Sequence, residues 1–258
     1  MPKITGRSNG LITEMASLKE KKYRAQTGLF LIHGKKLLRE AIRSGLDLKY
    51  VFYTGKNADL AESAAASSGA ALYETDEYVF SKLTDEQAPE GICAAAVIPA
   101  RKHRIEDGAF VLICDRLSDP GNAGTVLRSA RAFGAGTVVF SSDCADIYSP
   151  KVVRGAMGAS FAENIITGAD TVTTVEELRK RGFRTYAAAL HTDAVPLSSA
   201  DLSGGCAVVI GSEGRGLPEN VINACENRLF IEMDPSCESL NAAVAASVIM
   251  YKRFAGDL

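Results

Sequence analysis

The chain has 258 residues, of which 47% are hydrophobic and 23% charged, and its formal net charge at pH 7 is −2. This length is sufficient for one large or two ordinary globular domains, and the composition is that of a soluble globular protein. No apolar run approaches the length of a membrane span, and the N-terminus lacks the apolar core of a secretory signal.

The first hundred residues alternate helix and strand patterns. The predicted helices are LITEMASLKEKKYRAQ, KKLLREAIRSG, NADLAESAAASSG and a short helix before the last strand, and the predicted strands are GLFLIHG, LKYVFYT, ALYET and GICAAAVIP. The charged segment PARKHRIEDG then lacks apolar periodicity. We therefore predict a first domain over residues 1–98, a linker over 99–106 and a second domain over 107–258.

The second domain repeats the alternation of strand and helix. Its predicted strands are AFVLICDRL, GTVVFSS, FAENIIT, FRTYAAAL, GCAVVIG and NRLFIEM. A final helix from Ser239 to Phe254 is apolar on nearly every side, which predicts burial in its own core or against another subunit. Buried apolar strands between helices favour two α/β domains with parallel sheets covered on both faces.

The charge is distributed unevenly. Residues 1–55 hold eleven Lys and Arg against four acids, a net charge of +7, which leaves −9 for the rest of the chain. A basic end on an acidic body is typical of a surface that faces a polyanion, but a solvated face without a partner has the same composition. Charge alone leaves both interpretations open.

The cysteines and histidines form no metal or disulfide pattern. The six cysteines are scattered without a CxxC pair, and the three histidines are far apart in the sequence. We therefore predict reduced, mostly buried thiols in a cytoplasmic protein, with no metal site.

The stretch LSDPGNAGTVLRSARAFGAG carries an unusual helix. A turn at DPG leads into Asn122, a predicted N-cap of a helix that ends at Gly134. Arg128 and Arg131 lie on one face of this helix with Gly124, and the helix holds no acid to neutralise them.

Two further loops follow predicted strands, at the edge where parallel α/β sheets bind ligands. IGSEGRGLPEN has three glycines that let the backbone approach a ligand, and DPSCESLNAAVAAS leads into the final helix. Each has a structural alternative, because Asn122 and Ser239 are natural helix caps and glycines also make turns. No strand is followed by GxGxxG, and GxxxxGK[ST] is absent from the sequence, which argues against the familiar dinucleotide and nucleoside-triphosphate sites.

Together the three loops resemble, in order and spacing, the three motifs of the SpoU (TrmH-like) family of RNA ribose 2′-O-methyltransferases in the SPOUT superfamily. The matching stretches are DRLSDPGNAGTVLRSARAFG, VVIGSEGRGLP and IEMDPSCESLNAAVAAS, within residues 107 to about 255. The last departs from the commoner SLNVSVA, because Ala242 and Ala243 stand in the Val-Ser positions. LKEKKYRAQTGLFLIHGKKLLREAI resembles the family's N-terminal substrate-binding domain, which is similar to the L30e/L7Ae RNA-binding fold.

The resemblance implies an S-adenosylmethionine-dependent methyltransferase that acts on a ribose 2′-hydroxyl, in ribosomal (23S) RNA. It also implies a C-terminal SPOUT α/β trefoil knot with a mostly parallel sheet, and a homodimer. The implied catalytic residues are Arg128, Asn122, Glu213, Ser239 and Asn241. The implied donor-binding residues are Leu190, Gly211, Ile231, Met233 and Leu240. The basic bias and the resemblance together give RNA-binding candidates at Lys21, Lys22, Arg24, Lys35 and Arg131.

Arg128 has two possible roles in this chemistry. An arginine side chain is an awkward general base because its pKa lies above ~12. We therefore favour an electrostatic role, in which Arg128 holds a phosphate and stabilises negative charge developing on the ribose oxygen.

Three other functions stay open at this point. They are a tRNA ribose methyltransferase, a non-catalytic ribosomal RNA-binding protein, and a Rossmann-type methyltransferase or dehydrogenase. The Rossmann alternative lacks its glycine fingerprint, and the non-catalytic alternative leaves the polar residues of the three loops unexplained.

Overall fold

The computed structural model describes residues 2–100, 104–162, 164–212 and 214–256. The chain divides into two compact units: Met1–Ala100 with Asp146–Ala162, and Arg101–Ala145 with Glu163–Leu258. The segment 146–162, which the sequence pattern places inside the second domain, thus belongs by its contacts to the first unit. The predicted boundaries at 98 and 107 stay predictions.

The first unit begins with a mixed sheet and its helices. Its elements are β1 (Lys3–Ile4), α1 (Gly10–Ser17), α2 (Lys21–Thr27), β2 (Leu29–His33), α3 (Lys35–Arg43), β3 (Leu48–Tyr53), a 3₁₀ turn (Gly55–Asn57), α4 (Ala58–Ser68), β4 (Ala71–Thr75), α5 (Glu77–Phe80) and β5 (Ile92–Val97). The strand order is β1-β4-β3-β5-β2, and β5 runs antiparallel to both of its neighbours. The prediction of a parallel sheet therefore holds for β1, β4 and β3 but is wrong for β5, which returns through the irregular stretch 81–91 without a crossover helix.

The rest of the chain forms the second unit, except for two helices. In chain order the remaining elements are β6 (Phe110–Cys114), α6 (Pro120–Ala132), β7 (Thr137–Ser141), α7 (Pro150–Ala156), α8 (Ala159–Ala162), β8 (Ile165–Ala169), α9 (Thr171–Lys180), β9 (Arg184–Ala188), β10 (Val195–Pro196), β11 (Cys206–Ile210), α10 (Glu219–Ala224), β12 (Asn227–Phe230) and α11 (Ala242–Ala255). Helices α7 and α8 lie in the first unit. There Tyr148 and Phe161 pack their rings against Phe30 of β2, with centroids 4.9 and 6.1 Å away.

The sheet of the second unit has the order β10-β12-β9-β11-β6-β7-β8, and every pair in it is parallel. Its central strands β6 and β11 are buried along their whole length, as their continuous apolar sequences predict. Parallel strands bring their carboxyl ends to one edge of the sheet. The loops after β6, β9, β11 and β12 therefore meet at a single edge of this unit.

No helix in the described part of the chain is both long enough and apolar enough to span a membrane. All six cysteines are free thiols. Burial raises the pKa of several of them, among them Cys206 and Cys225, each to about 12, so these two stay protonated at neutral pH.

Candidate active site at the carboxyl edge of the parallel sheet

Asn122 does not cap helix α6 as predicted. Asp119 is the N-cap, because its Oδ1 accepts the backbone N–H of Asn122 at 2.8 Å and Pro120 occupies the first helical position. The helix ends at Ala132, two residues before the predicted Gly134. The structural alternative for Asn122 is therefore wrong, and its side chain faces another partner.

That partner is Asn241. The Nδ2 of Asn241 donates to the Oδ1 of Asn122 at 3.1 Å. At the same time the Oδ1 of Asn241 caps α11, accepting from the backbone N–H groups of Ala243 at 3.0 Å and Val244 at 3.3 Å. The final helix thus begins at Ala242 with Asn241 as its cap, and the prediction that Ser239 starts the helix is wrong.

Helices α6 and α11 pack side by side along their length. The hydroxyl oxygens of Ser129 and Ser247 are hydrogen-bonded at 2.7 Å. The rings of Phe133 and Tyr251 pack edge to face, with their centroids 5.5 Å apart. These contacts and the asparagine pair hold the first and third loops together in one arrangement.

Arg128 and Arg131 are exposed on α6, whereas Gly124 is buried. Within the described residues, no side chain or carbonyl forms a hydrogen bond or ion pair with the guanidinium of Arg128. An arginine in this state contributes little to the stability of the fold and presents its donors to solvent. Glu213, the remaining predicted catalytic residue beside Ser239, lies outside the described residues.

A cavity of about 150 Å³ lies beyond the ends of β9 and β12. Its walls come from the loops after these strands and from the start of the final helix. The lining residues are Ala188, Ala189, Leu190, Leu229, Phe230, Ile231, Met233, Glu238, Ser239, Leu240 and Ala245. Four of the five predicted donor-binding residues, together with Ser239, are therefore brought to one place.

The apolar lining of this cavity fits the donor that the sequence implies. Aliphatic side chains and alanines suit the flat face of an adenine, and Glu238 and Ser239 supply polar atoms for the rest of the molecule. Residues that would hold S-adenosylmethionine are thus present.

Gly211 does not line the cavity. A Cβ at this position would lie 2.5 Å from the backbone carbon and oxygen of Gly216 and 2.8 Å from the nitrogen of Leu217. The glycine is needed because the loop after β11 folds back onto its own start. A larger residue would disrupt this loop, so its effect on the donor would be indirect.

Sequence reasoning missed the pair Asp115 and Arg116, which follows β6. Asp115 is buried and accepts the Thr171 hydroxyl at 2.6 Å, and its second oxygen accepts Arg116 Nε at 2.8 Å. Arg116 Nη2 also donates to the carbonyl of Gly216 at 3.2 Å. The two residues open the stretch DRLSDPGNAGTVLRSARAFG that resembles the first family motif, but the sequence reasoning gave neither of them a role.

Cys144 supports the same loop. Its thiol donates to the carbonyl of Cys114 at 3.1 Å and accepts the backbone N–H of Leu117 at 3.2 Å. Burial raises the pKa of Cys144, so the group stays a neutral thiol and a structural support.

The RNA-binding candidates of the first unit divide into two groups. Lys21 and Lys22 are exposed and Lys35 is half-buried. Arg24 is only 3% exposed; its Nη2 lies 2.6 Å from Asp146 Oδ2, and its Nη1 donates to the carbonyls of Leu18 and Lys19. The prediction that Arg24 contacts RNA is therefore wrong, because its guanidinium is used inside the unit.

No group of three or more His, Cys, Asp or Glu side chains within the described ranges is arranged to hold a metal ion. The polar groups gathered at the sheet edge include asparagines, arginines and hydroxyls beside the carboxylates of Asp115 and Glu238. Side chains of these types are the ones that hydrogen-bond to phosphate and sugar oxygens in nucleic-acid complexes.

The family model described as the SpoU rRNA Methylase family matches residues 109–251, and a model of the MRM3-like substrate binding domain matches residues 9–94. The chain belongs to the SpoU rRNA methylase family. It is 30% identical to the 23S rRNA (guanosine(2553)-2′-O)-methyltransferase RlmP of Bacillus subtilis, over 97% of this chain and 98% of that one.

Two solved structures have the same fold over nearly the whole chain. The AdoMet-bound rRNA methyltransferase from Sinorhizobium meliloti is 25% identical, with a TM-score of 0.89 over 99% of this chain and 98% of that chain. A structure described as an RNA 2′-O ribose methyltransferase is 29% identical, with a TM-score of 0.85 over 99% of each chain.

Proposed function

We propose that this protein transfers a methyl group from S-adenosylmethionine to a ribose 2′-hydroxyl in 23S ribosomal RNA. The observation that carries the proposal is the cavity beyond β9 and β12, whose rim includes Ser239, two residues before the Asn241–Asn122 pair. Membership of the SpoU family and the likeness to RlmP favour ribosomal RNA over tRNA.

Leu190, Ile231, Met233 and Leu240 hold the donor in this proposal. Their apolar side chains enclose the adenosine, while Gly211 contributes by letting the loop after β11 close on itself. When bound, S-adenosylmethionine would supply a methyl group on a sulfonium; its neutral thioether would leave without protonation, and the proton of the 2′-hydroxyl would pass to solvent.

Arg128 is the residue at the acceptor. Its guanidinium, exposed and without a hydrogen-bond partner among the described residues, is available to grip a phosphate through two N–H groups. The same positive charge stabilises alkoxide character on the neighbouring ribose oxygen. Asn122, Ser239 and Asn241 orient the ribose, and Glu213 completes the set.

Lys21, Lys22, Lys35 and Arg131 supply the phosphate contacts that deliver the RNA. Each is a point of positive charge that releases counterions when it meets the RNA backbone. Arg24, being buried, is left out of this set.

The active form is a homodimer. Helix α11 buries one side in its own unit and exposes a stripe of large apolar residues on the other: Val244 (46%), Val248 (36%), Tyr251 (55%) and Phe254 (36%). Such a stripe at helical spacing on a soluble protein favours association with a second copy.

Two finer points complete the proposal. The trefoil knot follows from the family resemblance. A cytoplasmic location is supported by six free cysteines.

The decisive experiment is transfer of labelled methyl groups from S-adenosylmethionine to purified 23S RNA, 16S RNA and tRNA, followed by mapping of ribose methylation. We expect label on 23S RNA alone, and the guanosine that RlmP modifies is the first position to inspect. Label on tRNA alone would show that the protein is a tRNA ribose methyltransferase. If the protein binds RNA tightly but transfers no methyl group at saturating donor, it is a non-catalytic RNA-binding protein.

The dimer has its own test, sedimentation velocity of the wild type and of Val248→Glu. We expect a dimer for the wild type and dissociation for the variant, because a charge in a buried apolar interface is costly. Val195→Glu, at an equally exposed valine (37%) on β10 and outside α11, is the matched control and should stay dimeric. A monomeric wild type at micromolar concentration would contradict the proposal.

A further inference from the structure

Arg116 has a strained backbone. Its φ is +53°. Among the described residues, two that are not glycine have a positive φ, and the second is Met157, with a φ of +51°. The left-handed region is unfavourable for a residue with a Cβ, because the Cβ crowds the following carbonyl oxygen. A strained residue of this kind persists only when its surroundings hold it in place.

The contacts of Arg116 explain what holds it. Its backbone N–H donates to Ser141 Oγ at 2.9 Å, and its Nε donates to Asp115 at 2.8 Å. Asp115 is itself fixed by Thr171, at the start of α9. The guanidinium therefore projects from a rigid base.

The far end of the side chain holds a different loop. Arg116 Nη2 donates to the carbonyl of Gly216 at 3.2 Å. The backbone N–H of Gly216 donates to the carbonyl of Ser212 at 2.9 Å, so these two residues after β11 are held together. Arg116 thus joins the loop after β6, which leads to Arg128, with the loop that carries Glu213.

We propose that Arg116 is a positioning residue for methyl transfer. It fixes the loop 212–216 against the loop after β6, so that groups on both keep one relative geometry. A glycine at this position would adopt the same φ without strain, but it would leave the two loops unconnected. The expected effect of Arg116 on the rate of methyl transfer rests on the proposed function. Its expected effect on the order of the loop after β11 does not.

The test compares Arg116→Ala, Arg116→Gly and Arg116→Lys. Alanine and glycine both remove the bridge, but only glycine also relieves the backbone strain. We expect Arg116→Gly to unfold at a higher denaturant midpoint than Arg116→Ala, while both transfer methyl groups more slowly than the wild type at saturating substrates. A loss of at least about tenfold is expected, since a displacement of about 1 Å in a site can cost about a hundredfold. Arg116→Lys, which can keep one of the two contacts, should restore part of the rate.

Met157→Gly is the matched control, because Met157 has the same backbone strain at the end of α7 in the first unit. This variant should gain stability and keep the wild-type rate. If the activity of the Arg116 variants rises and falls with their stability, the role of Arg116 is structural and the proposal is overturned.

Hydrogen exchange provides a readout that does not need activity. Backbone amides of 214–217 should exchange faster in Arg116→Gly than in the wild type, while those of β6 and β11 stay protected. Unchanged exchange in this loop would overturn the proposal. If the wild type transfers no methyl group to any RNA, the proposed function fails, and the exchange result still decides whether Arg116 holds the loop.

Discussion

Asn241 donates its Nδ2 to Asn122 Oδ1 at 3.1 Å, across 119 positions of the chain. The orientation of the amide is set independently, because the Oδ1 of Asn241 must accept the first backbone N–H groups of α11. One side chain therefore both starts the final helix and fixes a polar residue of the first loop.

Substitution of Asn241 by Asp separates these two roles. Aspartate still caps the helix through an oxygen, but it replaces the donor to Asn122 with a second acceptor. We expect Asn241→Asp to keep its thermal midpoint and to transfer methyl groups at least about tenfold more slowly, the effect of losing one oriented hydrogen bond in a site. Asn241→Ala, which loses the cap as well, should also lose about 1 kcal/mol of stability. Full activity of the Asp variant in single-turnover assays would show that the pair is structural only.

The sequence predicted most of the second unit because its strands are buried on both faces. VLIC and CAVVI form the central pair of the sheet, and such strands are apolar along their whole length. The first unit was harder, since the direction of β5 depends on the stretch 81–91, which has no periodic pattern. The return of 146–162 to the first unit depends on distant contacts such as that of Tyr148 with Phe30, which no local pattern contains.

The candidate site was predictable as a set of residue types and less so as a set of contacts. The family resemblance predicted Leu190, Ile231, Met233 and Leu240 as donor-binding residues, and in the structure all four line one cavity. Propensity misplaced both caps, because Asp119 and Asn241 compete for that role with nearby residues of equal preference. Arg24 shows a further limit, since a lysine-rich segment gives no sign that one of its cations pairs with Asp146.

Arg128→Lys tests the catalytic role. We expect this variant to fold, to form the dimer and to bind the donor, because no partner of Arg128 within the described residues is lost. Transfer of labelled methyl groups at saturating donor should fall by at least about a hundredfold, as when one preorganised transition-state donor is removed. Arg179→Lys, on α9, is the control for the same exchange on another helix and should keep the wild-type rate. Near-normal turnover by Arg128→Lys would reduce Arg128 to a surface contact with RNA.

Ala245→Phe tests the donor cavity. Ala245 lies on α11 and lines the cavity, so a phenyl ring there should fill the space that an adenosine needs. Calorimetry should show at least about tenfold weaker binding of S-adenosylmethionine, since about 1.4 kcal/mol of lost contact is enough for that change. Ala255→Phe at the exposed end of the helix should bind normally. Equal affinity in the two variants would place the donor elsewhere.

Delivery of RNA by the first unit can be tested without truncating the chain, by substituting Lys21, Lys22 and Lys35. Deleting the first domain is a poor experiment, because it would expose Tyr148 and Phe161, which pack against Phe30. The triple Lys→Gln variant should bind RNA more weakly and reduce the slope of log affinity against log salt by about 2–3, at about 0.7–0.9 per phosphate contact. Donor binding should be unchanged. A triple variant with the wild-type salt slope would show that these lysines are only solvated.

His33 gives the first unit a pH-dependent stability. It is 5% exposed on β2, its Nε2 lies 2.9 Å from the carbonyl of Leu83, and burial lowers its pKa from 6.5 to about 4. Because a carbonyl only accepts, Nε2 carries the single proton of a neutral ring. Between pH 6.5 and 4 the unfolded chain therefore binds a proton that the folded chain does not, so stability is lost as the pH falls through this window.

The expected loss from this one group is about 2 kcal/mol between pH 7 and pH 5, at 1.36 kcal/mol for each unit of pKa difference. His33→Gln keeps a donor for the Leu83 carbonyl but cannot titrate, so it should be less sensitive to acid than the wild type by that amount. Urea unfolding of both proteins at the two pH values measures the difference directly, because all other titrating groups are shared. Equal pH dependence in the two proteins would mean that His33 keeps an ordinary pKa in the folded state, and that water reaches the ring despite its burial.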